Sequence, residues 1–170
     1  MARSKSDISN SAIRIFLQNV GAFYDEKRGL NKFVTTKSQK EELIAYFNGR
    51  CCYCGRGIAA SDLYQDHLVP VNQYSLGLHA WGNVVPCYND CNSAKQQQDW
   101  QVFLKSKAQG ETFRQRASKI SQFVQDKKYD PNLNLTEYAG NLYEDVGVIA
   151  MTLIELRPGQ AREAIERLLK

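Results

Sequence analysis

The sequence predicts a mostly helical α+β fold, with a small strand-bearing centre stapled by cysteines and helical additions before and after it. Three observations predict it. Apolar residues recur at helical spacing through both ends of the chain. Two short runs, 63–70 and 83–86, read as strands. All five cysteines fall between positions 51 and 91, at the two ends of that central stretch. The 170 residues, 43% apolar and 24% charged, suffice for a hydrophobic core and exclude disorder as the main state. The longest apolar stretch, Val146 to Ile154, is interrupted by Gly147 and Thr152 and is too short to span a bilayer. No apolar core follows the basic start, so no secretory signal and a soluble, cytoplasmic protein are expected.

In chain order, Ile8, Ala12, Ile15, Phe16 and Val20 predict a helix over 6–20. Residues 21–37, with Gly21, Gly29 and Asn31, read as a linker. Ser38 then caps a second helix with Glu41 and Glu42 in its first turns, ended by Asn48-Gly49. A strand from Leu63 stops at Pro70, a polar loop covers 71–83, and Asn83 to Pro86 forms the second strand. A helix beginning near Cys87–Cys91 places Asn92 and Lys95 on neighbouring positions of one face. Helices follow over 100–108 and 111–128, with Trp100 and Phe103 read as core. Beyond a break at Pro131 to Asn134, residues Leu135, Tyr138, Leu142, Val146, Ile149, Leu153 and Leu156 repeat every three or four positions. That long helix is expected to stop at Pro158-Gly159, with a final helix from Gln160. Its stripe reads as packing against the rest of the chain, or alternatively as a homodimer or protein-partner surface. Three parts result: 1–37, an N-terminal helix and linker; 38–99, the stapled core; 100–170, a helical extension.

An odd cysteine count without an export signal argues against a disulfide framework. Cys51-x-x-Cys54 and Cys87-x-x-x-Cys91 read instead as two knuckles offering four thiolates. Structural Zn²⁺ prefers that soft, tetrahedral set. The two-residue spacing selects Cys51 over Cys52 as the first ligand. A thioredoxin-like redox pair would lack its βαβ surroundings and leave Cys87 and Cys91 without a role.

Net charge is +4, concentrated in residues 101–128, where seven Lys or Arg face only Glu111 and Asp126. Arg114, Arg116 and Lys119 are therefore candidate contacts to nucleic acid, against the plain alternative of a solvated helix face.

Between the knuckles lie Asp66-His67, Asn83, and Asn92 with Lys95. Each is unexceptional alone. In this order Cys51-Cys52-Tyr53-Cys54-Gly55, Asp66-His67-Leu68-Val69-Pro70, Asn83-Val84-Val85-Pro86-Cys87 and Cys91-Asn92-Ser93-Ala94-Lys95 resemble the HNH nucleases of the ββα-metal, or His-Me finger, superfamily. The resemblance covers residues 50–95. The family more often has two residues inside the second knuckle, and Asn92 in place of His is a variant that many members share.

The resemblance implies a zinc-stapled ββα-metal core and a DNA endonuclease, in a role such as restriction or antiviral defence. His67 would be the general base, and Asp66 and Asn92 would hold a catalytic Mg²⁺ or Mn²⁺. Oxygen donors suit such hard cations, and imidazole titrates near neutrality. Adjacent residues of a strand point to opposite faces, so a shared site at Asp66 and His67 requires a distorted backbone. Asn83 would brace the loop that orients His67, and Lys95 would contact phosphate. The other histidine, His79, reads as a loop or packing residue beside Trp81. Double-stranded DNA is the expected substrate, with RNA left open. A non-catalytic zinc module that binds nucleic acid, or a subunit of a larger nuclease complex, are the competing readings.

Overall fold

In a computed structural model, which describes residues 4–139 and 141–168, the chain is mostly helical with one small antiparallel sheet, an α+β arrangement. Helix α1 spans Lys5–Lys27, seven residues beyond the expected end at Val20. Ser4 and Asp7 form a reciprocal cap at its start. Gly21 does not break this helix. A Cβ there would lie 2.5 Å from the carbonyl oxygen of His79, so the glycine lets α1 press directly on that loop. Helix α2, Lys37–Tyr46, is capped by Thr36 with Gln39, two residues before the predicted Ser38. It ends as expected, since Asn48 and Gly49 both take positive φ, 54° and 68°.

Strand β1 (Tyr64–His67) pairs with β2 (Val84–Cys87) in one unbroken register from Tyr64 opposite Cys87 to His67 opposite Val84. Helix α3, Asn89–Lys95, follows two residues later and packs on β1. The remainder is helical: α4 (Trp100–Lys107), α5 (Gly110–Asp126), the short α6 (Thr136–Ala139) and α7 (Leu142–Leu168). The single helix expected from Leu135 is thus two. Helix α7 also runs on through positions 158 and 159, where a stop was expected. A proline removes one helical hydrogen bond at a cost of about 3 kcal/mol, which need not end a helix with many others on either side.

The boundaries expected at 37 and 99 do not separate independent cores. One apolar cluster joins Phe33, Leu43, Tyr53, Trp81, Val84, Phe103, Ile120 and Phe123. A second joins Ile13 and Leu17 of α1 to Leu78, Tyr129 and Ala139. A buried carboxylate ties the parts further. Asp25 of α1 accepts from the backbone N–H of Phe33 (2.9 Å) and of Trp81 (3.2 Å) and pairs with Arg28. Arg28 in turn donates to the carbonyls of Trp81 and Lys127.

Helix α7 packs on α1 through its first turns, where a Cβ at Gly147 would lie 2.5 Å from Ser9 Oγ. Farther along, Ile149, Leu153 and Leu156 are exposed, so the apolar stripe is only partly covered. No helix among the described residues is long and apolar enough to cross a membrane.

Candidate functional site

The first knuckle is a tight turn held by its own backbone. Cys51 N–H donates to Arg56 O (2.8 Å), Gly55 N–H to Cys51 O (3.0 Å), and Arg50 pairs with Gly57 as an isolated bridge. Cys91 comes from the first turns of α3. The sulfurs of Cys51, Cys54 and Cys91 all lie within 4.8 Å of one another, and these three could hold a metal ion such as zinc. Cys51, not Cys52, is the member of the group.

Cys87 is a correction to the expected four-sulfur set. It is the last residue of β2, fully buried, and its sulfur lies outside the group. With three residues before Cys91 instead of two, it falls one position too early, in the strand and not in the turn that follows. Burial, followed by the charges of Asp66, Cys51 and Cys91, pushes its thiol well up, as a packed thiol requires. Cys54 differs. Burial raises it, but hydrogen bonds from Arg56 and from neighbouring sulfurs bring it down to about 7, a value suited to a thiolate ligand.

Asp66 and His67 leave β1 on opposite faces. The unbroken register through both residues means that the expected backbone distortion is absent. Asp66 turns inward. Its Oδ2 accepts from the Tyr53 hydroxyl (2.5 Å) and pairs with Lys95 Nζ (3.1 Å), while Oδ1 lies 3.4 Å from the same ammonium. Burial raises its carboxyl above the usual value, and Lys95 and Tyr53 oppose that rise. Lys95, expected at a phosphate, is instead completely buried, and it also donates to His67 O at 2.8 Å. One turn beyond Asn92 it meets the sheet, and Asp66 supplies the counter-charge that burial demands.

His67 faces the other way and is half-buried. Its Nε2 lies 3.0 Å from His79 Nδ1, so the second histidine is the direct partner of the first and not simply a packing residue. His79 also stacks obliquely on Phe33, its Nε2 lies 3.3 Å from Thr35 Oγ1, and Thr35 donates to Gln65 Oε1 at 3.3 Å. Burial, then the charges of His79, Lys95 and Arg14, lower His67 to about 3. Burial and Arg14 lower His79 as well. Burial thus disfavours the charged form of both imidazoles.

Asn83 is fully buried and closes the loop between the strands. Its Oδ1 accepts from Val69 N–H (2.8 Å), and its Nδ2 donates to Val69 O (3.0 Å) and Leu78 O (2.7 Å). Leu68 N–H reaches its backbone carbonyl at 2.9 Å.

Asp66, His67 and Asn92 line one open depression of about 270 Å³, together with Arg14 of α1. The Asn92 amide makes no hydrogen bond to any described side chain, and Arg14 is exposed with no ion pair among the described residues. Arg14 has no neighbour in sequence that marks it; only the packing of α1 brings it here.

The basic residues of α5 are elsewhere. Arg114 pairs with Glu111 (2.7 Å), and Arg116 donates to Tyr53 O (2.7 Å) with its guanidinium against Gly55. Lys119 sits 4.1 Å from the Tyr46 ring centre. None of the three lines the His67 depression. Arg116 and Lys119 border a separate hollow of about 300 Å³ beside Cys51 and Gly55.

No protein-family model matches the chain, and sequence comparison finds no matching curated protein.

Proposed function

We propose that the chain is a divalent-metal-dependent HNH-type endonuclease that hydrolyses DNA phosphodiester bonds, on a scaffold stapled by zinc. One observation carries the reading: Asp66, His67 and Asn92 line the same depression as Arg14, which has no ion pair among the described residues. The donors fit a hard cation in chemical type. Asp66 Oδ1 lies 3.4 Å from Lys95 Nζ, farther than Oδ2 does, and the Asn92 side-chain oxygen has no hydrogen-bond partner among the described residues. When bound, Mg²⁺ or Mn²⁺ would supply positive charge to phosphoryl oxygens as they gain negative charge.

The chain's own residues do the rest. Arg14 holds the scissile phosphate by charge-assisted hydrogen bonds. His67 takes a proton from the attacking water as the new O–P bond forms and the bond to the leaving oxygen breaks; that oxygen takes its proton from solvent. Asn83 fixes the loop behind His67 through four hydrogen bonds. Cys51, Cys54 and Cys91 as zinc ligands anchor the start of α3 and hence Asn92, the residue next to Cys91.

A second reading, a zinc-stabilised module that binds nucleic acid without cutting it, draws on the pairing that already occupies Asp66. Incubating supercoiled plasmid with the full chain and Mg²⁺ or Mn²⁺, with and without chelator, separates the two. Cleavage is expected, and His67→Ala should lower it by about 10²–10⁴-fold with zinc content unchanged. Retained activity in that variant sinks the assignment, and binding without cutting in the parent establishes the second reading. Arg14→Ala should weaken substrate binding in the same assay.

A further inference from the structure

The hollow beside the first knuckle is bordered by three cations, Arg50, Arg116 and Lys119, and by the amides of Asn48 and Gln115. Among the described residues no carboxylate lines it. Each cation is held in place. Arg50 donates to Gly55 O at 3.0 Å, and Arg116 donates to Tyr53 O at 2.7 Å with its guanidinium in the space that a side chain at Gly55 would fill. A guanidinium carries five N–H donors, so both keep donors to spare. The Lys119 ammonium rests on the Tyr46 ring and makes no ion pair among the described residues. Asp126, whose carboxyl feels the Lys119 charge, is bonded to the Tyr46 hydroxyl and the Gln122 amide. Three like charges fixed around one hollow repel one another, and an anion entering it relieves that repulsion. Arg114, two residues before Arg116, shows the solvated alternative: it is exposed and paired with Glu111.

The surroundings indicate the kind of anion. Gln115 and Lys119 also line a shallow trough of about 490 Å³ along α5, together with Arg114, Ser118 and Gln122. A lone phosphate would engage the hollow only, whereas a track continued by neutral amides and a hydroxyl suits a run of phosphates. We infer that Arg50, Arg116 and Lys119 form a phosphate site for a nucleic-acid backbone, separate from the depression at His67. The inference rests on the proposed reading only for nucleic acid as the partner, and a chain that binds without cutting keeps the site. Tyr53 stands between the two places: its carbonyl takes Arg116 and its hydroxyl reaches Asp66.

The test is binding of a short labelled DNA duplex by the zinc-loaded full chain without Mg²⁺, read by fluorescence anisotropy over a range of NaCl concentrations. On logarithmic axes the binding constant should fall with salt, with a slope of about 0.9 for each phosphate neutralised. In the double variant Arg50→Gln, Lys119→Gln that slope should become shallower by about 1–2, with zinc content and thermal midpoint unchanged. Arg116 is left intact because it also supports the knuckle. Gln115→Glu removes no cation and sets a carboxylate at the hollow, so it should weaken binding, most of all at low salt. An unchanged slope in the double variant, or a parent chain that binds no duplex, overturns the inference. If the double variant loses its zinc, Gln115→Glu decides, and unchanged affinity there overturns it as well. A thermal midpoint raised by inorganic phosphate beside an unaltered DNA slope marks a free-anion site and has the same force. Binding with the expected slopes but no cleavage on adding Mg²⁺ sinks the nuclease reading and leaves the phosphate site standing.

Discussion

Lys95 and Asp66 show how little a residue's type says about its task until its neighbours are known. Their spacing from Asn92 and His67 was readable, but their mutual pairing joins β1 to α3 across a buried contact. Removing one charge leaves the other stranded, so Lys95→Met should cost about 3–5 kcal/mol in urea unfolding. Adding Asp66→Asn should recover part of that loss. The cysteines divide in the same way. Cys87→Ala should retain the metal content of the parent chain by elemental analysis, because its sulfur is outside the group, whereas Cys54→Ala should lose it. The pairs readable from local spacing, Cys51 with Cys54 and Asp66 beside His67, needed only a few residues of chain. The partnership of His79 with His67 spans a closed loop, and no short-range pattern announces it.

Among the elements, sequence pattern located α1, α2, α4, α5 and both strands but merged α6 with α7 and split α7 at its proline, while the ends were set by other forces. Thr36 with Gln39 completes a capping box two residues before Ser38, so the earlier of two competent caps prevailed. Helix α1 outran its apolar pattern because its later turns are held by a carboxylate, Asp25, and by contact with the loop before β2, not by a stripe. That contact is checkable. Gly21→Ala places a methyl group against the His79 carbonyl, and the thermal midpoint should drop in line with a loss of about 1–3 kcal/mol. In α7 a proline and a glycine read as a terminator, yet the helix continues. Local breakers set a cost, and the helix on either side decides whether that cost ends it.

For the molecule as a whole, the two histidines predict an acid response. In the unfolded chain both titrate near 6.5. In the native state His67 is lowered to about 3 and His79 is lowered as well, with Arg14 and Lys95 the facing cations. Below about pH 6.5 the unfolded chain therefore binds protons that the native chain refuses, and stability falls with pH, by at most about 2.7 kcal/mol per unit for two groups. The buried carboxyls of Asp25 and Asp66, raised by burial, act in the opposite sense at lower pH. Urea midpoints of the zinc-loaded chain without Mg²⁺ should thus be lower at pH 5.5 than at pH 7. A variant with both histidines changed to Gln should flatten the difference. This property follows from burial, which the sequence signalled for the apolar residues and not for the imidazoles.

The grip of Asp25 on Phe33 and Trp81 has a practical corollary. Anyone trimming the chain to its smallest recognisable unit would cut near residue 38 and keep the cysteines, both strands and α3. That excised piece would have lost the carboxylate that tethers Trp81, the hydroxyl behind His79, and the arginine above His67. Zinc added to such a fragment should leave it without a cooperative melting transition. The stretch ahead of the motif is foundation, not ornament.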